Sequence, residues 1–291
     1  MQIVTDSGTD IGLTPEERDA LNVHVVGLSV ALEGDTFREG ENIGPGEFYP
    51  LMAESESLPT TSQPSAGDFA AVYRRLAASD PDILSIHMSS GLSGTFDAAQ
   101  AGAKLVPEAN VTHVDTKTLS AAAGWQVEAA AEALRSGRAL PETLALIERI
   151  SAAADSLYTL KDLTYLIHGG RISHMKGLVA SILRIKPIIG VEKEQGTYVQ
   201  RGQARTFKRA LQRVVDLISQ QHAPGSSLRV QVLHASNPED AATLRDLIDD
   251  QFDCDWLPIE PISLVLGAHT GPTMVGVAYA PLDLFAAIPP L

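Results

Sequence analysis

Short apolar runs alternate along this chain with longer segments in which apolar positions recur at helical spacing. Residues 2–5, 23–30, 83–88 and 111–115 are compact Val- and Ile-rich runs bounded by Gly, Asp, Asn or Ser, and they predict buried strands. Between them, Thr14-Pro15-Glu16-Glu17 pairs an N-cap threonine with proline at the first helical position. Ser65-Ala66-Gly67-Asp68 has the spacing of a capping box, ahead of a helix with Phe69, Val72, Tyr73 and Leu76 on one face. Further helices are predicted from residue 96, over 119–135 and over 141–152, and residues 33–58, rich in Gly, Glu and Pro, read as an insertion. A second pattern begins near residue 155. Strands are expected over 157–160, 184–191, 197–199, 228–233, 256–259, 264–266 and 274–280, with a hairpin turn at Glu194-Gln195-Gly196. Helices are expected over 162–168, 205–221 and 238–251, with a break at Gly169-Gly170-Arg171. The alternation predicts an α/β protein of two domains. Residues 1–153 form a parallel-sheet, Rossmann-like α/β/α domain, and residues 154–291 a mixed-sheet α/β domain.

Composition narrows the class. At 44% hydrophobic but only 5% aromatic, the core must be built from Ala, Leu, Val and Ile. The lone Cys254 forms no internal disulfide and suggests no structural zinc site. The first residues lack the basic and apolar regions of a signal peptide, and no apolar run is long enough to span a bilayer, so a cytoplasmic protein with no integral membrane association is expected. The net charge of −14 argues against nucleic acid as a partner. Yet residues 163–213 hold ten Lys or Arg and only two acids, Glu192 and Glu194, a local charge of +8. Within that segment Arg201, Arg205, Arg209 and Arg213 recur every four residues, which predicts one basic face of a helix and a docking or anion-binding role.

Three polar segments could carry chemistry. Residues 59–65, Pro-Thr-Thr-Ser-Gln-Pro-Ser, precede a helix. Residues 89–95, Ser-Ser-Gly-Leu-Ser-Gly-Thr, join a predicted strand to a helix, where free backbone N–H groups and the positive end of the helix favour an anion. Residues 267–272, Gly-Ala-His-Thr-Gly-Pro, place His269 in a loop between glycines. No metal-ligand spacing occurs, His87 and His113 read as core histidines on strands, and neither a metal nor a cofactor is expected. Gly91-Leu92-Ser93-Gly94-Thr95 lacks the lysine of a nucleotide phosphate loop. It is one residue short of a nucleophile elbow, with Thr95 in place of the last glycine and His269 following in chain order. A serine hydrolase using Ser93 and His269 is therefore an alternative, although no acid to orient the histidine is evident.

Taken together, Val4-Thr5-Asp6-Ser7, residues 58–64, residues 85–95, Gly169-Gly170-Arg171-Ile172-Ser173, Lys186-Pro187-Ile188, Arg205-Thr206 and Gly267-Ala268-His269-Thr270-Gly271 resemble the DegV family in order from end to end. The resemblance implies a fatty-acid-binding protein of the fatty-acid kinase B type. Such a protein is not itself an enzyme. It holds a long-chain fatty acid in a tunnel between two α/β domains and presents it to a separate ATP-dependent kinase subunit, for acyl-phosphate formation in phospholipid synthesis. By motif position, Thr61 and Ser93 would bind the carboxylate with His269 beside them. Ser62, Gly94, Thr95 and Arg171 would serve the ligand head group or phosphoryl transfer, and Arg205, with Arg201 and Arg209, would dock the kinase. A family-related role in DNA-binding regulation is disfavoured by the charge. Burial of an acyl chain of about C16–C18 at ~0.8 kcal/mol per methylene would supply most of the affinity, with the hydroxyls setting orientation. The sequence departs from the family at Pro272-Thr273, where a further glycine is common, and this bears on the His269 loop.

Overall fold

The computed structural model describes residues 1–174 and 185–286. Lys176 and Arg184, counted in the basic segment, lie outside the described residues.

The N-terminal half is built on a four-stranded parallel sheet ordered β2-β1-β6-β7. Its strands are β1 (Gln2–Asp6), β2 (Val23–Val26), β6 (Asp82–His87) and β7 (Asn110–Asp115). Alternation along the strands sends Ile3, Leu84 and Ile86 to one face and Val4 and Ile83 to the other. The first set packs beneath α5 (Ser120–Arg135) and α6 (Leu140–Ala153), with Leu13 and Leu21, which flank α1 (Pro15–Ala20); the second packs beneath α3 (Ala66–Ala77) and, through Ala99, α4 (Thr95–Ala103). The helix starts follow their caps. Thr14 Oγ1 accepts from Glu17 N at 3.2 Å while Glu17 Oε2 accepts from Thr14 N at 2.7 Å, and Ser65 Oγ accepts from Asp68 N at 3.1 Å.

The run 23–30 is two strands rather than one. After β2 the chain bends at Gly27, where a side chain would collide with Arg38, and Leu28 N donates to Ser7 Oγ at 3.0 Å. β3 (Ser29–Leu32) then joins a separate antiparallel sheet, ordered β4-β3-β5, with β4 (Asp35–Arg38) and β5 (Thr60–Ser62). The expected insertion supplies β4 and α2 (Pro45–Glu54) to this small unit.

The C-terminal half is a seven-stranded mixed sheet, β10-β9-β8-β14-β11-β12, with β13 beside β11. Its strands are β8 (Asp155–Thr159), β9 (Lys186–Val191), β10 (Tyr198–Ala204), β11 (Ser227–His234), β12 (Asp253–Trp256), β13 (Glu260–Pro261) and β14 (Val275–Pro281). One face packs on α8 (Phe207–Ser219) and α9 (Pro238–Asp249); the other packs on α5 and α6 through Tyr158, Ala278, Ala280, Ala121, Ala122 and Trp125. α5 thus lies between the two large sheets, which explains why its buried residues run almost without interruption from Ser120 to Ala133 and are mostly alanine.

Three further expectations are corrected. The strand expected at 256–259 lies at Asp253–Trp256. The run 264–266 begins a helix, α10 (Leu264–Thr270), and His269 belongs to that helix and not to a loop. All seven of its residues are buried, so the run is apolar all round and carries no period to separate helix from strand. The four arginines do not share a helix face either. Arg201 sits on edge strand β10, Arg205 on the bend that follows, and the helix begins only after Thr206, whose side chain accepts from Arg209 N at 3.3 Å.

Candidate functional site

A cavity of about 300 Å³ lies where β5, the loop after β6, and α10 meet the C-terminal sheet. Its position outside the carboxyl ends of parallel strands is the usual ligand position of an α/β sheet. Its polar lining is Thr61, Ser62, Gln63, Ser93, Arg171 and His269; its apolar lining is Leu28, Met88, Leu92, Val265 and Leu266, with the amphipathic Tyr198. The apolar lining belongs to one hydrophobic core that reaches Trp125 and Phe285 and draws on the small antiparallel sheet, α5 and the C-terminal sheet.

Each polar group is placed by a local device. Thr61 lies on β5, in register with Val30 of β3. Its Oγ1 is 2.8 Å from His269 Nε2 across 208 residues of sequence. His269 lies in the last turn of α10, where burial and then the cationic Arg171 lower its pKa to about 4, so the ring is neutral at neutral pH. Among the described residues its Nδ1 has no hydrogen-bond partner, and it faces Gly169 so closely that no side chain fits there. The Gly-Gly of the Gly169-Gly170-Arg171 motif therefore does two things. Gly169 admits the imidazole, and Gly170, at φ 73, turns the chain after α7 (Thr164–His168). Arg171 Nη1 donates to Gly169 O at 2.6 Å and its Nε to Leu92 O at 3.5 Å, which holds the guanidinium over the cavity. Among the described residues it has no carboxylate partner.

In the loop after β6, Ser93 Oγ is 2.8 Å from Thr95 Oγ1 and accepts from Thr95 N at 3.3 Å. Gly94 lies against the Gln63 amide with no room for a side chain. Ser89 and Ser90 face away from the cavity: Ser89 Oγ donates to Gly196 O in the β9–β10 turn at 2.8 Å, and Ser90 Oγ to Asp115 Oδ2 at 2.5 Å. Pro272 and Thr273 do not line the cavity. Thr273 Oγ1 accepts from Lys161 N at 3.0 Å, so the departure from the family pattern falls on the connection to β14.

The site brings together Thr61, Ser62, Ser93, Arg171 and His269, with Gly94 and Thr95 supporting Ser93, while Arg201, Arg205 and Arg209 are exposed and lie outside the cavity wall. Sequence reasoning missed Gln63 and Tyr198. The signal for Gln63 was its place among the hydroxyls of 59–65; Tyr198 reaches the cavity only by strand pairing. Among the described residues the hydrolase geometry does not form, because Ser93 is bonded to a threonine and His269 meets no acid. An Asp–His–Ser chain does exist, with Asp6 Oδ2 2.9 Å from His87 Nδ1, His87 Nε2 2.6 Å from Ser85 Oγ and Ser85 Oγ 2.7 Å from Tyr73 OH. Asp6, His87 and Ser85 are sealed at 0% exposure, which makes His87 the core histidine expected.

This is an α/β protein whose two halves wall a cavity lined by both polar and apolar side chains. The family model of the "Uncharacterised protein, DegV family" matches residues 1–282, and the chain belongs to the DegV family. It is similar to a DegV domain-containing protein of Listeria innocua, 32% identical over 279 residues, covering 96% of this chain and 97% of that one. It is also similar to the protein DegV of Bacillus subtilis, at 30% over 278 residues, covering 95% and 98%. Among solved structures, a fatty-acid-binding DegV family protein from Thermus thermophilus superposes with a TM-score of 0.85 at 32% identity, covering 97% of this chain and 99% of that one. DegV of Bacillus subtilis, described as a fatty acid binding protein, superposes at 0.85 with 29% identity, covering 96% and 98%.

Among the described residues no helix is long and apolar enough to cross a membrane.

Proposed function

We propose that the protein binds a long-chain fatty acid, with the carboxylate held by Thr61 and Ser93 and the acyl chain passing into the apolar core. The observation that carries this reading is the mixed lining of the cavity, which combines hydroxyls, an arginine and a neutral histidine with aliphatic side chains. Fatty-acid binding by the similar solved proteins supports it. With Nε2 protonated, His269 donates to Thr61 Oγ1 and leaves the Thr61 O–H free to donate into the cavity. Arg171 supplies the positive potential that keeps a carboxylate ionised. Thr95 and Gly94 fix Ser93, and Ser62 stands at the cavity edge. The chain is of about C16–C18 length, and each methylene buried contributes ~0.8 kcal/mol before association entropy is subtracted. We further assign the two lobes to residues 1–153 and 154–291.

The bound acid is presented to a separate ATP-dependent kinase subunit, this protein being the non-catalytic partner. Exposed Arg205, Arg201 and Arg209, at the β10 edge and the start of α8, form the docking surface. Mass spectrometry of the denatured protein tests the core of the reading: a stoichiometric long-chain fatty acid is expected. A ligand-free preparation that also takes up no added palmitate would refute it.

A further inference from the structure

We propose that Asp10 and Glu39 are positioning residues that set the seat of α10, and through it the Thr61–His269 pair; the inference rests on the carboxylate-binding reading above. α10 spans seven residues, about 10 Å, and is tied down at both ends. At its far end His269 meets Thr61 at 2.8 Å. At its near end Ser263 N donates to Asp10 Oδ1 at 2.9 Å, and Leu264 N is 3.3 Å from both Glu39 carboxylate oxygens. Asp10 Oδ2 also accepts from Ser120 Oγ at 2.6 Å, so one carboxylate joins the loop after β1, the start of α5 and the start of α10. Both partners of that bond are non-glycine residues with left-handed backbone, Asp10 at φ 43 and Ser120 at φ 56. Such a conformation persists only where surrounding contacts hold it. Sideways movement of α10 is limited by Tyr49, whose hydroxyl donates to Ile262 O at 3.0 Å and whose ring fills the space beside Gly267. A shift of the short helix at its acid-held end therefore moves His269 against Thr61.

The two acids share a second cavity of about 320 Å³ and have no salt-bridge partner among the described residues. Facing them are Asp6 from β1, Arg18 from α1, Tyr49 from α2 and Glu260 from β13. Burial, and then repulsion between neighbouring carboxylates, raises Asp10 to about 6 and Glu39 to about 8. The pair accordingly carries one proton near neutral pH and becomes doubly charged, hence self-repelling, as the pH rises through 8.

The test compares the full chain with Glu39→Gln, which keeps an oxygen to accept from Leu264 N, and Glu39→Ala, which does not. The His269 ring resonances are followed by NMR without lipid, and palmitate affinity by calorimetry. Glu39→Ala should move the His269 resonances and weaken palmitate binding roughly tenfold, and Glu39→Gln should restore both. In the unsubstituted protein the His269 resonances should step near pH 8, well above the titration of His269 itself, and that step should vanish in Glu39→Gln. Unmoved resonances in folded Glu39→Ala, or a step that survives in Glu39→Gln, overturn the proposal. Should Glu39→Ala not fold, the two pH series decide alone. Should the unsubstituted protein take up no palmitate, the carboxylate reading fails while the ring resonances still decide the positioning role.

Discussion

Gly169 carries a constraint out of proportion to its size, because the buried Nδ1 edge of His269 occupies the space a side chain would need. Gly169→Ala should displace the ring and separate it from Thr61. Loss of one or two oriented bonds worth ~1.5–3 kcal/mol each corresponds to a fall in fatty-acid affinity of about ten- to a hundredfold or more. Calorimetric titration with palmitate, beside an unchanged far-ultraviolet circular dichroism spectrum, checks this. Ser93→Ala should cost a similar amount by removing a donor, together with its bond from Thr95 N, and unchanged affinity would remove Ser93 from the carboxylate site. Ser93 was legible in the sequence because strand, glycine, hydroxyl and helix follow one another within a few residues. The His269–Gly169 contact was not, since a hundred residues separate two glycine-flanked motifs that each looked like a loop.

At the scale of elements, legibility followed the periodic signal. α3, with its capping box and one apolar face, was readable in its start and its buried side; α10, buried on every side, had its apolar run 264–266 misread as a strand because burial erases the period. The arginine spacing misled for a different reason. Four-residue intervals are diagnostic only inside a helix, and here they run across β10, a bend and α8. Exposure on neighbouring elements still leaves Arg201, Arg205 and Arg209 accessible. Arg205→Glu should therefore leave palmitate affinity within about twofold of the unsubstituted value, as expected of an exposed position away from the cavity. Under the proposed role it should depress kinase-dependent acyl-phosphate formation. Equal loss of binding and phosphorylation would place Arg205 in the ligand site instead. α5 offers a packing test: Ala122 is fully buried between the two sheets, so Ala122→Leu should destabilise by about 1–3 kcal/mol through overpacking, read as a lower denaturation midpoint.

The whole molecule balances buried groups that titrate in opposite directions. His269 and His113 are each lowered to about 4 by burial, so the unfolded chain takes up protons the native state refuses as pH falls below 6.5. Their contribution to stability is therefore lost between about 6.5 and 4. Glu39 and Asp10 behave in the reverse sense. Their native proton affinity is raised, to about 8 and about 6, so they favour the folded state at low pH, and that contribution declines as pH rises through those values. Stability should accordingly fall on the acid side through the histidines and on the alkaline side through the acid pair. Glu39→Gln, which cannot ionise, isolates the second limb. Its melting temperature should match that of the unsubstituted protein near pH 5 and exceed it at pH 9, by about 2–4 °C for each kcal/mol of relieved ionisation cost in a chain of this size. Because α5 packs on both large sheets, a single cooperative transition is the expected baseline, and the same difference should appear by calorimetry and by the fluorescence of buried Trp125. A Glu39→Gln protein whose melting temperature tracks the unsubstituted one across the whole range would mean that Glu39 ionises in the native state as freely as in water, and that its carboxylate is already compensated.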